Sequence, residues 1–210
     1  MAKITNLHLL KQLNFVPSSI LDIGAHLGEF AMQCKELWPS SYVCMIEANQ
    51  NCSNHLSRYR QFGYDHVIAL VGDKEEDVTY YTQADNEWGA GNSIYKELTN
   101  VPYSEVTLKM TTVDSLFEKS VPFDLIKIDV QGAEIDVMTG GKYFIKNAKC
   151  VILELSITPY NQNAPLYKDV INYMLNLNYV PTMELERHYH NGELLQIDIA
   201  FFNLNYITHE

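Results

Sequence analysis

The stretch FDLIKIDVQGAEIDVMTGG, residues 123–141, decides how the chain is read. It opens like a strand covered on both faces, with apolar Leu125, Ile126, Ile128 and Val130. Such strands normally read as near-continuous apolar runs. Here Lys127 and Asp129 interrupt the run, and Gln131, Gly132 and Glu134 follow at once. Alternation puts Lys127 and Asp129 on one face and Ile128 and Val130 on the other. Unpaired buried charges are costly, so these two need each other or a ligand. The residues that follow, AEIDVMTGGKYFIK (133–146), predict a helix.

The same alternation repeats outward from this unit. SILDIG (19–24) predicts a strand, and EFAMQCKELW (29–38) a helix that Pro39 stops. YVCMIEAN (42–49) is a second strand, QNCSNHLSRYRQFG (50–63) a helix capped by Gly63, and HVIALVG (66–72) a third strand. DVTYYTQ (77–83) alternates like an edge strand, residues 84–105 show no firm period, and VTLKMTTV (106–113) is a strand. Asp114 is placed to cap the short helix SLFEK (115–119). CVILELSI (150–157) is the fifth main strand and LYKDVINYMLNLN (166–178) a helix. YVPTMELERHYH (179–190), the turn Asn191-Gly192 and ELLQIDIAFFN (193–203) predict an antiparallel hairpin. Residues 1–18 form a helical lead-in, and no repeat or low-complexity linker divides residues 1–210 into more than one domain. Alternating strands and helices imply an α/β fold, a parallel sheet with helices on both faces.

Fifteen Lys and Arg stand against 26 Asp and Glu, a formal charge of -11. That argues against a nucleic-acid or anionic-membrane binder and is compatible with a cationic ligand. Cys34, Cys44, Cys52 and Cys150 form no CxxC pair, which points to reduced thiols in the cytoplasm and to no zinc site. The opening MAKITNLHLLKQLNFVP has no signal-peptide run, and no apolar run is long enough to span a bilayer.

Ligands of such sheets sit beyond the carboxyl ends of the strands, near the switch in strand order. The residues there are Asp22, Gly24, Ala25, His26 and Gly28; Glu47, Ala48 and Asn49; Gly72 and Asp73; and Asp129 with Gln131 and Gly132. Gly24 and Gly28 let the backbone turn sharply against a ligand. Glu47 stands where an acid accepts both hydroxyls of a ribose. Glycine turn plus ribose acid means an adenosine-containing cofactor. A dinucleotide site wants G-x-G-x-x-G, whereas this chain reads D-x-G-x-x-x-G, with His26 at the middle glycine. Asp22 would repel a pyrophosphate and attract the ammonium or sulfonium of S-adenosylmethionine. Charge sign therefore favours a methyl donor over NAD, and the C-terminal hairpin points the same way. Asp73 either approaches the adenine or closes a turn.

ILDIGAHLGEF, IEAN, ALVGDKEEDVTYY, TTVDSL and DLIKIDVQGAEIDVMTGG resemble, in order and spacing, the FkbM family of methyltransferases. LQIDIAFFN resembles the family's closing strand, so the likeness runs from Ile20 almost to the end. It departs at His26, where the family often carries Asn. The resemblance implies a Rossmann-like class I methyltransferase: a mostly parallel seven-stranded sheet that ends in an antiparallel hairpin. It implies transfer from S-adenosyl-L-methionine, usually to a hydroxyl oxygen, and family acceptors include polyketide and sugar hydroxyls.

A hydroxyl must lose its proton as it attacks, and the candidate bases are Asp129, His26, His188 and His190, with Asp129 preferred. Asp129 is also a cofactor neighbour, or else only the ion-pair partner of Lys127. Gln131, Glu134, Ser93 and Glu154 are the candidate acceptor contacts, Glu134 alternatively holding the loop. His188 and His190 flank the hairpin turn, where solvated histidines are expected. Residues 84–105 are a candidate lid or substrate loop, in which GAGNSIY (89–95) is expected to close over the cofactor or acceptor and Ser93 and Trp88 are the candidate contacts. The expected partner is a small-molecule or glycan hydroxyl, with no nucleic acid, membrane or metal. So little chain precedes the first strand that the acceptor site is either open or completed by another subunit, a homo-oligomer. The rival readings are a nicotinamide-dependent oxidoreductase and a non-catalytic binding module.

Overall fold

The computed structural model describes residues 4–118 and 120–206. Residues 1–3 of the lead-in and Lys119 at the end of SLFEK lie outside the described residues. Among the described residues, ten strands form two sheets. The larger contains β1 (Ser19–Ile23), β2 (Tyr42–Glu47), β3 (Tyr64–Ile68), β7 (Leu125–Ile128), β8 (Cys150–Ser156), β9 (Tyr179–His190) and β10 (Glu193–Asn203). Its order is β3-β2-β1-β7-β8-β10-β9, parallel through β8 and antiparallel from there to the edge. The order reverses between β1 and β7, which puts the ligand crevice at their carboxyl ends. The smaller sheet holds β4 (Leu70–Val71), β5 (Glu76–Gln83) and β6 (Tyr103–Thr111) in the order β4-β6-β5.

Helices cover both faces, with a separate apolar cluster on each. α1 (Glu29–Leu37) lies on one, burying Phe30, Ala31 and Cys34 against Ile20, Leu125 and Ile152. On the other, α4 (Glu134–Gly140), α5 (Lys142–Asn147) and α6 (Tyr167–Asn176) pack on Leu21, Ile23, Ile126 and Ile128. Leu21 and Ile23 thus point one way, Ile20 and Asp22 the other, as alternation requires. None of the described helices is long and apolar enough to cross a membrane. All four cysteines are buried free thiols.

Asn191 and Gly192 both have positive φ, the type of turn expected for a two-residue hairpin loop. Four expectations are corrected. HVIALVG is not one strand: β3 ends at Ile68 and the chain crosses to the second sheet as β4. Residues 50–63 are not one helix but a short α-turn, α2 (Ser53–Leu56), between two 3-10 segments, ending at Gly63. The helix after β7 is interrupted at Gly141 into α4 and α5. Asp114 is not a cap: α3 (Val113–Leu116) starts earlier, and Thr112 accepts from the Ser115 amide. Asp114 instead accepts from the Tyr143 amide at the start of α5.

Candidate active site

A cavity of about 570 Å³, counted with its open mouth, lies over the carboxyl ends of β1, β2 and β7. The turn Gly24–His26 forms one wall. The Gly24 and Ala25 amides donate to the Ile46 carbonyl, fixing the turn to β2. Gly24 has φ +78, and an added Cβ would lie 1.8 Å from the Asp129 carbonyl oxygen. Only a glycine lets the ends of β1 and β7 approach so closely.

Glu47 lies at the end of β2, lines the cavity and is buried. Its Oε2 accepts from the His26 amide at 2.7 Å and its Oε1 from the Asn49 amide at 2.8 Å. Burial pushes its carboxyl up, while those two amides oppose the rise. Each oxygen keeps a further lone pair for a ligand hydroxyl. Ile46, Ala69, Leu70, Val71 and Tyr80 form the apolar part of the wall. Tyr80 was missed in the sequence, although the alternation of DVTYYTQ points it to the same side as Val78 and Thr82.

Asp129, at the tip of β7, closes the other end. Lys127 Nζ donates to its Oδ2 at 2.7 Å and Gln131 Nε2 to its Oδ1 at 2.9 Å. Asp22 pairs with Lys127 in the β1–β7 register, so both charges face α1 side by side. Burial alone would lower the Lys127 ammonium, but Asp129, Asp22 and Asp198 outweigh it and hold it up. Asp22 is fully buried, and neither carboxylate oxygen has a hydrogen-bonding partner. Burial pushes it up to about 7; Lys127 and a weak pull from the Ala31 amide oppose this, while Asp129 and Glu47 add to it.

A pH dependence follows. The folded chain holds the Asp22 proton to about pH 7 and the unfolded chain only to about pH 4. Stability therefore falls as pH rises through that window. Lys127, Asp129, Glu47 and Cys34 face Asp22, and Lys127 alone among them opposes the effect. Denaturant unfolding of the ligand-free protein at pH 5 and pH 8 should show a loss that Asp22→Asn reduces by roughly 2–4 kcal/mol. Parallel losses in wild type and variant would refute it.

The sequence candidates separate in space. Gly24, His26, Glu47, Ala48, Ser93, Asp129 and Gln131 line the cavity. Asp22, Ala25, Gly28 and Asn49 stand behind that wall: Gly28 opens α1, and Asn49 holds Glu87. Gly72 and Asp73 are displaced, because β3 stops short of them. Gly72 packs on Gly140 of α4 and Asp73 is exposed. Glu134 is buried, pushed up to about 7 by burial, and accepts from the Val130 and Gly132 amides. It is therefore seated as the brace of the Gln131–Gly132 turn, where both residues have positive φ. Glu154 lies beyond Gln131, which donates to it at 2.7 Å. His188 is half-buried rather than free in solvent: its Nε2 lies 2.7 Å from Asp198 Oδ2, and that contact holds the imidazole up. His190 stays exposed.

The segment without period is the connection of the β5–β6 hairpin, residues 84–102, folded onto the cavity. The Trp88 carbonyl meets His26 Nε2, and the Glu87 carbonyl accepts from Asn49 and Asn51 side chains. Ser93 Oγ donates to the Gln131 carbonyl at 2.9 Å.

Solved structures share this architecture at low identity. The O-methyltransferase from Bacillus cereus in complex with S-adenosylhomocysteine is 14% identical, with TM-score 0.53, over 93% of this chain and 78% of that one. Magnesium protoporphyrin IX methyltransferase from Synechocystis PCC 6803 with bound S-adenosylmethionine is 8% identical, with TM-score 0.53, over 93% and 74%. Precorrin-6y C5,15-methyltransferase from Geobacter metallireducens GS-15 is 10% identical, with TM-score 0.51, over 92% and 84%. No curated protein matches the sequence. The fold is that of the class I methyltransferases. The family model of the methyltransferase FkbM domain matches residues 22–181. The chain belongs to the FkbM methyltransferase family, and its cofactor is S-adenosyl-L-methionine.

Proposed function

We propose that the protein methylates a hydroxyl oxygen of a small molecule or glycan. The observation that carries this is Asp129, a buried carboxylate on the cavity wall, one oxygen held by Lys127 and the other by Gln131. Bound S-adenosylmethionine supplies an electrophilic methyl group on a positively charged sulfur. The chain's residues fit that group. The Asp22 carboxyl, with no hydrogen-bonding partner of its own, offers acceptor oxygens beneath the Gly24 turn, and a nearby cationic group would favour its charged form. Glu47 would take the ribose hydroxyls with the lone pairs that the His26 and Asn49 amides leave free. Ile46, Ala69, Leu70 and Tyr80 would hold the adenine against apolar surface, and Gly24 and His26 would border the amino-acid end.

Asp129 orients the acceptor hydroxyl and takes its proton; Gln131 and Ser93 border the acceptor. Residues 84–102 act as a lid that excludes water, fastened by His26 and Ser93. Several solved neighbours act on other atoms than oxygen, and the charge of -11 disfavours a polyanionic acceptor. The test supplies methyl-labelled S-adenosylmethionine with sugar and polyketide hydroxyls, amines and RNA in parallel. Label should appear as an ether, and Asp129→Asn should lower transfer by roughly a hundredfold to ten-thousandfold. Its S-adenosylhomocysteine affinity should stay within a few fold. Label only on nitrogen, carbon or RNA would overturn the proposal.

A further inference from the structure

Glu154 on β8, Asp198 on β10 and His188 on β9 project from three adjacent strands and converge beyond Gln131. His188 Nε2 lies 2.7 Å from Asp198 Oδ2 and 3.7 Å from Glu154 Oε1, and one ligating atom from each residue falls within 4.8 Å of the others. We propose that these three side chains bind a first-row divalent cation such as Mn2+ or Zn2+.

Two independent features support a cation here. Glu154 and Asp198 are direct partners across the antiparallel ladder, and like charges so placed are destabilising unless something positive lies between them; His188 Nε2, 2.7 Å from Asp198 and 3.7 Å from Glu154, is the group placed there, and it is positive only when protonated. Lys127 is the only buried lysine or arginine among the described residues, and it is already bound to Asp129. One divalent cation beside that ammonium balances Asp129, Glu154 and Asp198 together.

The surroundings hold the ligands in place. Gln131 and Gln196 both donate to Glu154 Oε2, which leaves Oε1 turned to His188. Such outer hydrogen bonds orient metal ligands. His188 is half-buried, which leaves an approach for the ion and its waters. One imidazole with two carboxylates selects Mn2+ or Zn2+ over Mg2+ or Ca2+. On binding, the proton shared by His188 and Asp198 leaves to solvent and Nε2 becomes a ligand.

The experiment uses the full chain, stripped with chelator and titrated with Mn2+ or Zn2+ alone, with Mg2+ as contrast. One Mn2+ or Zn2+ should bind per chain, Mg2+ at least about tenfold more weakly. His188→Ala and Asp198→Asn should each weaken binding by at least roughly tenfold to a hundredfold. Asp198→Asn changes a buried group, so a second measurement needs no variant: Mn2+ should broaden the His188 imidazole resonances in NMR before those of His8 and His55. S-adenosylhomocysteine titrated into the same samples reports the cofactor site separately, so loss of one reading leaves the other standing. No saturable binding, unchanged affinity in both variants, or broadening elsewhere first would overturn the proposal.

Discussion

Replacing Gly24 with alanine should destabilise the protein by roughly 2–5 kcal/mol and abolish measurable S-adenosylhomocysteine binding. Two costs add. The backbone at φ +78 is left-handed, which costs an L-residue with a Cβ about 1–2 kcal/mol. The new Cβ would also sit 1.8 Å from the Asp129 carbonyl oxygen and 2.8 Å from its carbon. Those are backbone atoms of a central strand end, so neither side can yield as a flexible side chain would. Overpacking of that kind typically costs about 1–3 kcal/mol. Relief requires β1 and β7 to part where they wall the cavity. Gly63 is the control: its φ is +81, but an added Cβ meets nothing within 4 Å. Gly63→Ala should therefore cost only about 1–2 kcal/mol. Equal denaturation midpoints for the two variants would show that the close approach is not what Gly24 provides.

Lys127→Met should cost about 3–5 kcal/mol at pH 7, the range for breaking a buried ion pair from one side. The methionine keeps most of the volume, so the packing over the Phe30 ring, 5.4 Å from Nζ, is largely retained. What disappears is the positive charge facing Asp22, Asp129 and Asp198. Adding Asp129→Asn should restore a substantial part of the loss, because the newly unpaired carboxylate goes with it. A denaturant double-mutant cycle measures this directly. A loss below about 1 kcal/mol for Lys127→Met, or no recovery in the double variant, would mean that the ion pair does not hold this part of the sheet together.

These expectations show how unevenly the site can be read from the sequence. Glu47 and Gly24 were legible because each sits at the end of a short, strongly patterned strand. Gly72 and Asp73 read as strand-end residues because VIALV (67–71) is one unbroken apolar run. An apolar run does not say where one sheet stops and the next begins, and β3 stops at Ile68. Ser93 was placed in the right segment, but nothing in its neighbours predicts that its hydroxyl bonds to the Gln131 carbonyl. His188 reads as solvated because it flanks the hairpin turn; Asp198, its partner, lies ten residues on, across the hairpin.

The sequence alone determined the alternation of strands and helices, the closing hairpin with its Asn191-Gly192 turn, and the strand tips Gly24, Glu47 and Asp129 that line the cavity. All of these are local: side-chain period and turn conformation act within a few residues. The tertiary structure decided which charges meet. Asp22 lies beside Lys127 because β1 and β7 pair in one particular register, although about a hundred residues separate them. Glu154, Asp198 and His188 converge because β10 inserts between β8 and β9. Pairing between distant strands is settled by the burial of whole sheet faces, and no single segment carries that information in its spacing.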